Sequence, residues 1–265
     1  MRRPSRAVLL AGLAVALVVA VVVVAVVVVA VVRSVSGPEK TIEVYAASSL
    51  RHAFPEVAAA FEDEEDVAVD FTFGSSGTIV AAFGEAASPD VLAVADGTAL
   101  FQANPVLTGE PLVFTQNRLV LVVPDGNPDD VRGLADLRGA AVATCHINAP
   151  CGRLAQMALD ATGAEVDQVV ADDAATTLQL VLDGSAEAGL VYATDALSVQ
   201  DDVDVVELPG ARDRVSFYGI SLLADAPDPD EGQAFIDFVL SEEGQAILED
   251  HGFLSADNPH LQPAD

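Results

Sequence analysis

Along the chain, short apolar and β-branched runs alternate with stretches whose apolar positions recur every three or four residues. "TIEVYAA" (41–47) reads as a strand, and the stretch after it, to about Glu65, as a helix. "VAVDFTF" (67–73) is a second strand, followed by a helix from Ser76 to about Phe83. "DVLAVA" (90–95) is a buried third, with a helix from about Thr98. This βαβαβ order predicts a parallel sheet with helices on both faces. A second series begins at "NRLVLVVP" (117–124) and continues with a strand "AAVATC" (140–145) and a helix to about Ala161. A strand near Val169, a helix from Asp173 to Leu182, and strands "AGLVYA" (188–193) and "VDVVELP" (203–209) complete it. A late strand, "VSFYGISLL" (215–223), precedes two helices, "PDEGQAFIDFVL" and "SEEGQAILEDHGF". Two series with a late return strand predict an α/β protein of two lobes, each a mostly parallel sheet flanked by helices. The chain crosses near 116–118 and back near 214–217, so 40–116 plus 217–265 form lobe 1 and 117–216 form lobe 2. Ligands of open α/β sheets sit beyond the carboxyl ends of strands, which places a site in the interlobe cleft.

The first 36 residues follow a different pattern. Arg2, Arg3 and Arg6 precede an unbroken apolar run, residues 7–32, made of Ala, Val, Leu and one Gly, and Arg33 closes it. As a helix this run would be about 39 Å long, enough to cross a bilayer with some tilt. It reads as an N-terminal membrane anchor or a signal segment, with Ser34-Val35-Ser36 as a small-residue cleavage site in the second case. The arginine bias keeps the N-terminus cytoplasmic and sends the rest outside, tethered to the membrane or secreted across it. All 41 acidic residues follow the run, against eight basic ones, so the external part carries a charge near −33. With no basic patch to neutralise phosphates, nucleic acid is excluded as a partner. The acidity itself reads as a solvated surface suited to high salt.

Candidate chemistry gathers where helices begin. Ser49, after "VYAAS", is placed as a helix N-cap. Pro55 is awkward there, since proline is tolerated only in a first helical turn, so the regular helix starts later or bends. In "FTFGSSGTIV" (71–80), Gly74 and Gly77 let backbone approach a ligand, while Ser75, Ser76 and Thr78 offer hydroxyls between strand and helix. That is the composition of an anion site built without positive charge, and also of an ordinary turn. In "CHINAPCGRLAQMAL" (145–159), Pro150 sits where a helix should start, leaving free N–H groups from 151 onward. Outside the cell, Cys145 and Cys151 at this spacing read as a disulfide, with a Cys/His metal site using His146 as the rival. In "ADDAATTLQLVL" (171–182), Asp172 or Asp173 caps a helix whose first free N–H belongs to Ala174. Tyr192 ends the strand "AGLVY" and can bring a phenolic O–H into the cleft.

In order and spacing, "VYAASSL", "FTFGSSGTI", "SPDVLAVAD", "NRLVLVVP", "APCGRLAQMAL", "GLVYATDAL" and "SEEGQAILEDHGF" resemble the extracytoplasmic molybdate-binding proteins of ABC importers, two-lobed members of the periplasmic-binding-protein class. The resemblance runs over about 41–253. It implies an oxyanion held by hydroxyls and backbone N–H groups, which fall on Ser49, Ser76, Cys151, Ala174 and Tyr192. Cys151 stands where the family often has Ala, and Ala174 where it often has a larger apolar residue. The resemblance further implies molybdate or tungstate as ligand, molybdenum present only within the oxyanion, no cofactor, permease subunits of an ABC transporter as partners, and a monomer without enzymatic activity. The chemistry agrees: molybdate, tungstate and sulfate are fully deprotonated dianions that need only donors, each hydrogen bond to a charged group contributing about 1.5–3 kcal/mol. Three rivals are weaker. Sulfate or another oxyanion would use the same fold. A serine hydrolase on Ser76 lacks a G-x-S-x-G elbow, and His52, His146, His251 and His260 have no evident place beside it. A sensor ectodomain would have only six cytoplasmic residues with which to signal.

Overall fold

The computed structural model describes residues 40–81, 89–95, 97–208 and 215–256. The apolar segment at 1–36, the helix end expected near Phe83, the last residue of the strand expected to end at 209, and the start of the return crossing near 214 lie outside them. Met1–Lys40 and Thr41–Asp265 separate as two units, and the second holds the hydrophobic cores and the candidate site.

The first series gives β1 (Lys40–Ala47), β2 (Val67–Gly74) and β3 (Val91–Val94), followed respectively by α1 (Phe54–Glu65), α2 (Ser76–Ala81) and α3 (Gly97–Ala103). A long strand, β4 (Leu112–Pro124), leads into β5 (Ala141–Cys145), α4 (Pro150–Thr162), β6 (Asp167–Ala171) and α5 (Ala174–Leu182). β7 (Ala188–Tyr192), α6 (Ala193–Leu197) and β8 (Val203–Val206) come next. β9 (Val215–Leu222) returns, and α7 (Pro229–Leu240), α8 (Glu242–Asp250) and β10 (Leu254–Ser255) end the described chain. Among the described residues the strands form one mixed sheet in the order β2-β1-β3-β9-β4-β7-β5-β6, with β8 and β10 also on β4. Pairs joined through helices, β1 with β3 and β5 with both β6 and β7, are parallel. The two crossing strands are antiparallel to each other, β9 also to β3, and β4 also to β7, β8 and β10.

Alternation along the strands explains where the cores sit. On β4, Leu119, Leu121 and Val123 pack with Leu154, Leu159 and Leu190, while Val120 and Val122 face Leu178, Val181 and Val191. Both faces are thus buried, as a strand covered by helices requires. On the other side of the crossing, Phe54, Val57, Ala58 and Phe61 place a helical stripe of α1 against β1 and α7. There Phe235 meets Phe54 and Phe61 edge-on, at 6.0 and 5.4 Å between ring centres. Tyr45, Leu92 and Val94 fill the opposite face with Ile79 and Ala103.

β4 begins at Leu112, ahead of the start at 117 expected from the pattern. Its first residues do not alternate legibly, because Leu112 and Val113 are half exposed while Thr115 and Gln116 are buried. The two polar side chains are held by the chain's far end: Thr115 Oγ1 donates to Leu254 O and Gln116 Nε2 to Ala256 O, both at 2.9 Å.

Candidate functional site

Five strand ends converge. β1 stops at Ala47 before a 3-10 turn, Ser48–Leu50; β2 runs into α2, β5 into α4, β6 into α5 and β7 into α6. They surround a small, tightly closed pocket of about 10 Å³. Ser49, Ser76, Cys151, Ala174 and Tyr192 all line it, brought together from positions spread over most of the chain.

Ser49 is 3% exposed, and its Oγ lies 2.7 Å from the hydroxyl of Tyr218. It is not a helix cap. The short turn is preceded by Ala47 with no side-chain cap, and α1 starts only at Phe54. Pro55 is the reason: it fits only the first turn of a helix, so the helix cannot reach back to Ser49 and the hydroxyl is released inward. Ser76 opens α2, is 1% exposed, and accepts the N–H of Ala95 at 3.0 Å, which leaves its own proton for another acceptor. Capping falls to its neighbour, since Ser75 Oγ accepts the N–H of Thr78.

Cys151 is the second residue of α4, behind Pro150, and is bridged to Cys145 with Cα atoms 5.7 Å apart. Both sulfurs are used in the bond, so neither is available to a metal. Gly152 is required at this junction. A Cβ there would lie 2.6 Å from the carbonyl oxygen of Cys145 and closer still to that of His146. Asp173 caps α5, its Oδ1 accepting from the N–H of Thr176 at 2.8 Å, so Ala174 becomes the first helical residue. Helix geometry leaves such N–H groups without an intrahelical acceptor. No hydrogen bond among the described residues engages the N–H of Ser76, Cys151 or Ala174. Tyr192 is 2% exposed, with its hydroxyl 2.6 Å from Ser216 Oγ.

Among the described residues the pocket has no lysine or arginine in its wall, and its one carboxylate, Asp173, is turned onto its own helix. Outside lies a wider cleft of about 930 Å³, lined in part by Thr78, His146, Asn148, Arg153, Asp172 and Asp173. Arg153 there donates to Asn148 O at 3.0 Å.

Behind the pocket is a polar layer that the sequence did not disclose. Asn117, Thr194, Asp195, Ser216 and Tyr218 are all buried, and Arg51 donates from Nε to Ser48 O at 2.9 Å. Asp195 accepts the backbone N–H of Tyr192, and its Oδ2 has no partner among the described residues. Burial pushes its carboxyl up to about 7, Asp173 adds to the rise, and Arg51 opposes it. A signal for part of this layer exists. Ser216 and Tyr218 stand two apart in an apolar strand, hence on one face, and Asn117 is the register partner of Ser216.

Residues 42–254 match the family of bacterial extracellular solute-binding proteins. The chain is 34% identical to the molybdate-binding protein ModA of Mycobacterium tuberculosis over 229 residues, covering 83% of this chain and 88% of that protein. It is 25% identical to ModA of Escherichia coli over 232 residues, 81% of this chain and 89% of the relative. Among solved structures, the sulfate-binding protein SubI of M. tuberculosis superposes with a TM-score of 0.74 at 16% identity, over 84% of this chain and 89% of that one. The periplasmic molybdate-binding protein of Azotobacter vinelandii gives 0.70 at 17% identity, over 80% and 98%.

Proposed function

We propose, from the premise that the chain belongs to the family of bacterial extracellular solute-binding proteins, that it captures molybdate outside the cytoplasm and delivers it to the membrane subunits of an ABC importer. It is a transport component and not an enzyme. One observation carries the reading of the site: hydroxyls and helix-start N–H groups from five separate strand ends line a single pocket whose wall, among the described residues, carries no cation. Such a wall is rich in donors, which suits a fully deprotonated tetrahedral dianion better than a ligand that must itself donate. In this reading Ser49, Ser76 and Tyr192 donate through hydroxyls, and Cys151 and Ala174 through their N–H groups. The oxyanion brings molybdenum without any direct protein–metal bond. Tungstate, of the same charge and geometry, is taken as well.

Residues 40–116 plus 217–265 act as one lobe and 117–216 as the other, and they close on the ligand as a monomer. Residues 1–36 tether the protein to the membrane or export it.

Isothermal titration of the full chain in detergent with molybdate, tungstate, sulfate and phosphate tests the assignment. The expected order is 1:1 binding of molybdate and tungstate, much weaker sulfate, and phosphate weakest of the four. Sulfate bound more tightly than molybdate would make this a sulfate-binding protein on the same fold.

A further inference from the structure

The crossing strands carry a chain of buried polar groups that ends at Ser49. Asn117, on β4, is wholly buried; its Nδ2 donates to Thr194 Oγ1 at 2.8 Å and to the Tyr218 hydroxyl at 3.4 Å. Tyr218, on β9, is also wholly buried, and its hydroxyl is 2.7 Å from Ser49 Oγ. An amide nitrogen can only donate, so the phenolic oxygen accepts from Asn117, which favours the arrangement in which its own proton lies toward Ser49. Ser49 then accepts at its oxygen, and its single proton is left for the pocket it lines.

We propose that Tyr218 is a positioning and specificity-determining residue, turning the Ser49 hydroxyl so that it donates to the bound oxyanion and so favouring tetrahedral anions that have shed their protons. This rests on the reading of Ser49 as a ligand contact. A serine left to itself is both donor and acceptor and adapts to either kind of ligand. One whose oxygen already receives a phenolic proton keeps a single lone pair, and its own proton is turned away from Tyr218 towards the pocket. A protonated oxyanion would then place its O–H against a wall of donors, and an unmade buried hydrogen bond costs more than a made one contributes. The hydrogen bonds from Asn117 through Tyr218 to Ser49 run in one direction, and each polarises the next. Burial, the main cause, holds the Tyr218 phenol well above its ordinary range, so it keeps its proton throughout the neutral region.

The ring of Tyr218 has a separate role in packing. It meets Phe114 at 6.2 Å and Phe253 at 5.4 Å, both edge-on, and a phenylalanine would keep both contacts. Tyr218→Phe therefore deletes the hydroxyl alone. The test is titration of the full chain in detergent, at pH 7.5, with molybdate and with inorganic phosphate, in wild type, Tyr218→Phe, Ser49→Ala and the double variant. Tyr218→Phe is expected to weaken molybdate about tenfold and to narrow the preference for molybdate over phosphate. Added to Ser49→Ala, it should change either quantity less than about twofold, because the group it orients is gone. Equal losses in both backgrounds, or an unchanged molybdate-to-phosphate ratio, overturn the inference while leaving the site reading intact. Wild-type affinity in Ser49→Ala overturns both. A second variant guards against a folding defect: 3-fluorotyrosine in place of Tyr218 is close in size and a stronger donor. It should bind molybdate at least as tightly as wild type with an equal or larger preference over phosphate, and a smaller preference overturns the proposal.

Discussion

At the scale of single residues, the site divides into groups that donate and groups that must not carry charge. Ser76 is the cleanest donor, because its oxygen is already occupied by the N–H of Ala95 and its proton has one direction left. Ser76→Ala should cost about 1.5–3 kcal/mol of molybdate affinity by titration, and should lower the unfolding midpoint as well, since the buried N–H of Ala95 loses its acceptor. Asp195 belongs to the second group. Its carboxyl titrates near 7 in the fold against an ordinary 3.8, mainly through burial. A raised acid pKa means that the folded state holds a proton the unfolded chain has released. Stability from this group is therefore present below pH 4, declines as pH rises from about 4 to 7, and is flat above. A rise of that size corresponds to about 4 kcal/mol as an upper bound. Asp195→Asn keeps an acceptor for the Tyr192 N–H and removes the ionisation. Urea unfolding should show the variant close to wild type at pH 4 and more stable by up to that amount at pH 8. A difference that does not grow between those pH values would mean that Asp195 is ionised at little cost. That Ser49, Ser76, Cys151, Ala174 and Tyr192 lie at strand ends was legible in the sequence, although the pattern reads Ser49 as a helix cap, which it is not. Asp195, Asn117 and Tyr218 were missed: the spacing of Ser216 and Tyr218 marks one polar face of β9, but the role of each residue comes only from a partner brought close by folding.

At the scale of elements, strand–helix junctions supply N–H groups and the loop between β5 and α4 shows how one is fixed. The loop is closed by the Cys145–Cys151 bridge, and Gly152 lets the first turn of α4 pass against the carbonyls of Cys145 and His146. Thr177 Oγ1 also reaches Cys145 Sγ at 3.4 Å, tying α5 to the same loop. The bridge constrains the loop without supplying a contact, and the N–H of Cys151 survives its reduction. Reduction should therefore weaken molybdate binding modestly, by less than about tenfold, through lost preorganisation. Titration with and without reductant, paired with thiol counting by mass spectrometry, checks this. A complete loss of binding would mean that the bridge sets the position of α4 itself. Pattern alone gave most strands and helices here, including α5 up to its cap. It fell short at Ser49, where Pro55 excludes the helix, and at the start of β4, where Thr115 and Gln116 are buried by distant partners rather than by alternation.

At the scale of the whole molecule, a cradle without cations sits in a chain of formal charge −29. In the proposed reading the pocket wall would hold an anion with local dipoles, which act over short distances and have little influence on approach. The outer cleft changes this balance only slightly: Arg153 is accompanied there by Asp172 and Asp173, and the guanidinium already donates to Asn148 O. Arg51 lies behind the pocket, within reach of Asp195 and not in the wall. A dianion approaching at low ionic strength therefore meets a repulsive field, with no cationic funnel among the described residues to offset it. Salt screens charges beyond about 10 Å at 0.1 M, and short hydrogen bonds inside a closed pocket far less. The association rate for molybdate should rise with added sodium chloride while the dissociation rate stays nearly constant, so that affinity improves with salt through the on-rate. A site resting on arginine or lysine would behave in the opposite sense, with steering lost as salt increases. Stopped-flow binding across a range of sodium chloride concentrations separates the two. An association rate that falls steeply with salt would assign Arg153 a dominant role at the mouth and would overturn the neutral cradle.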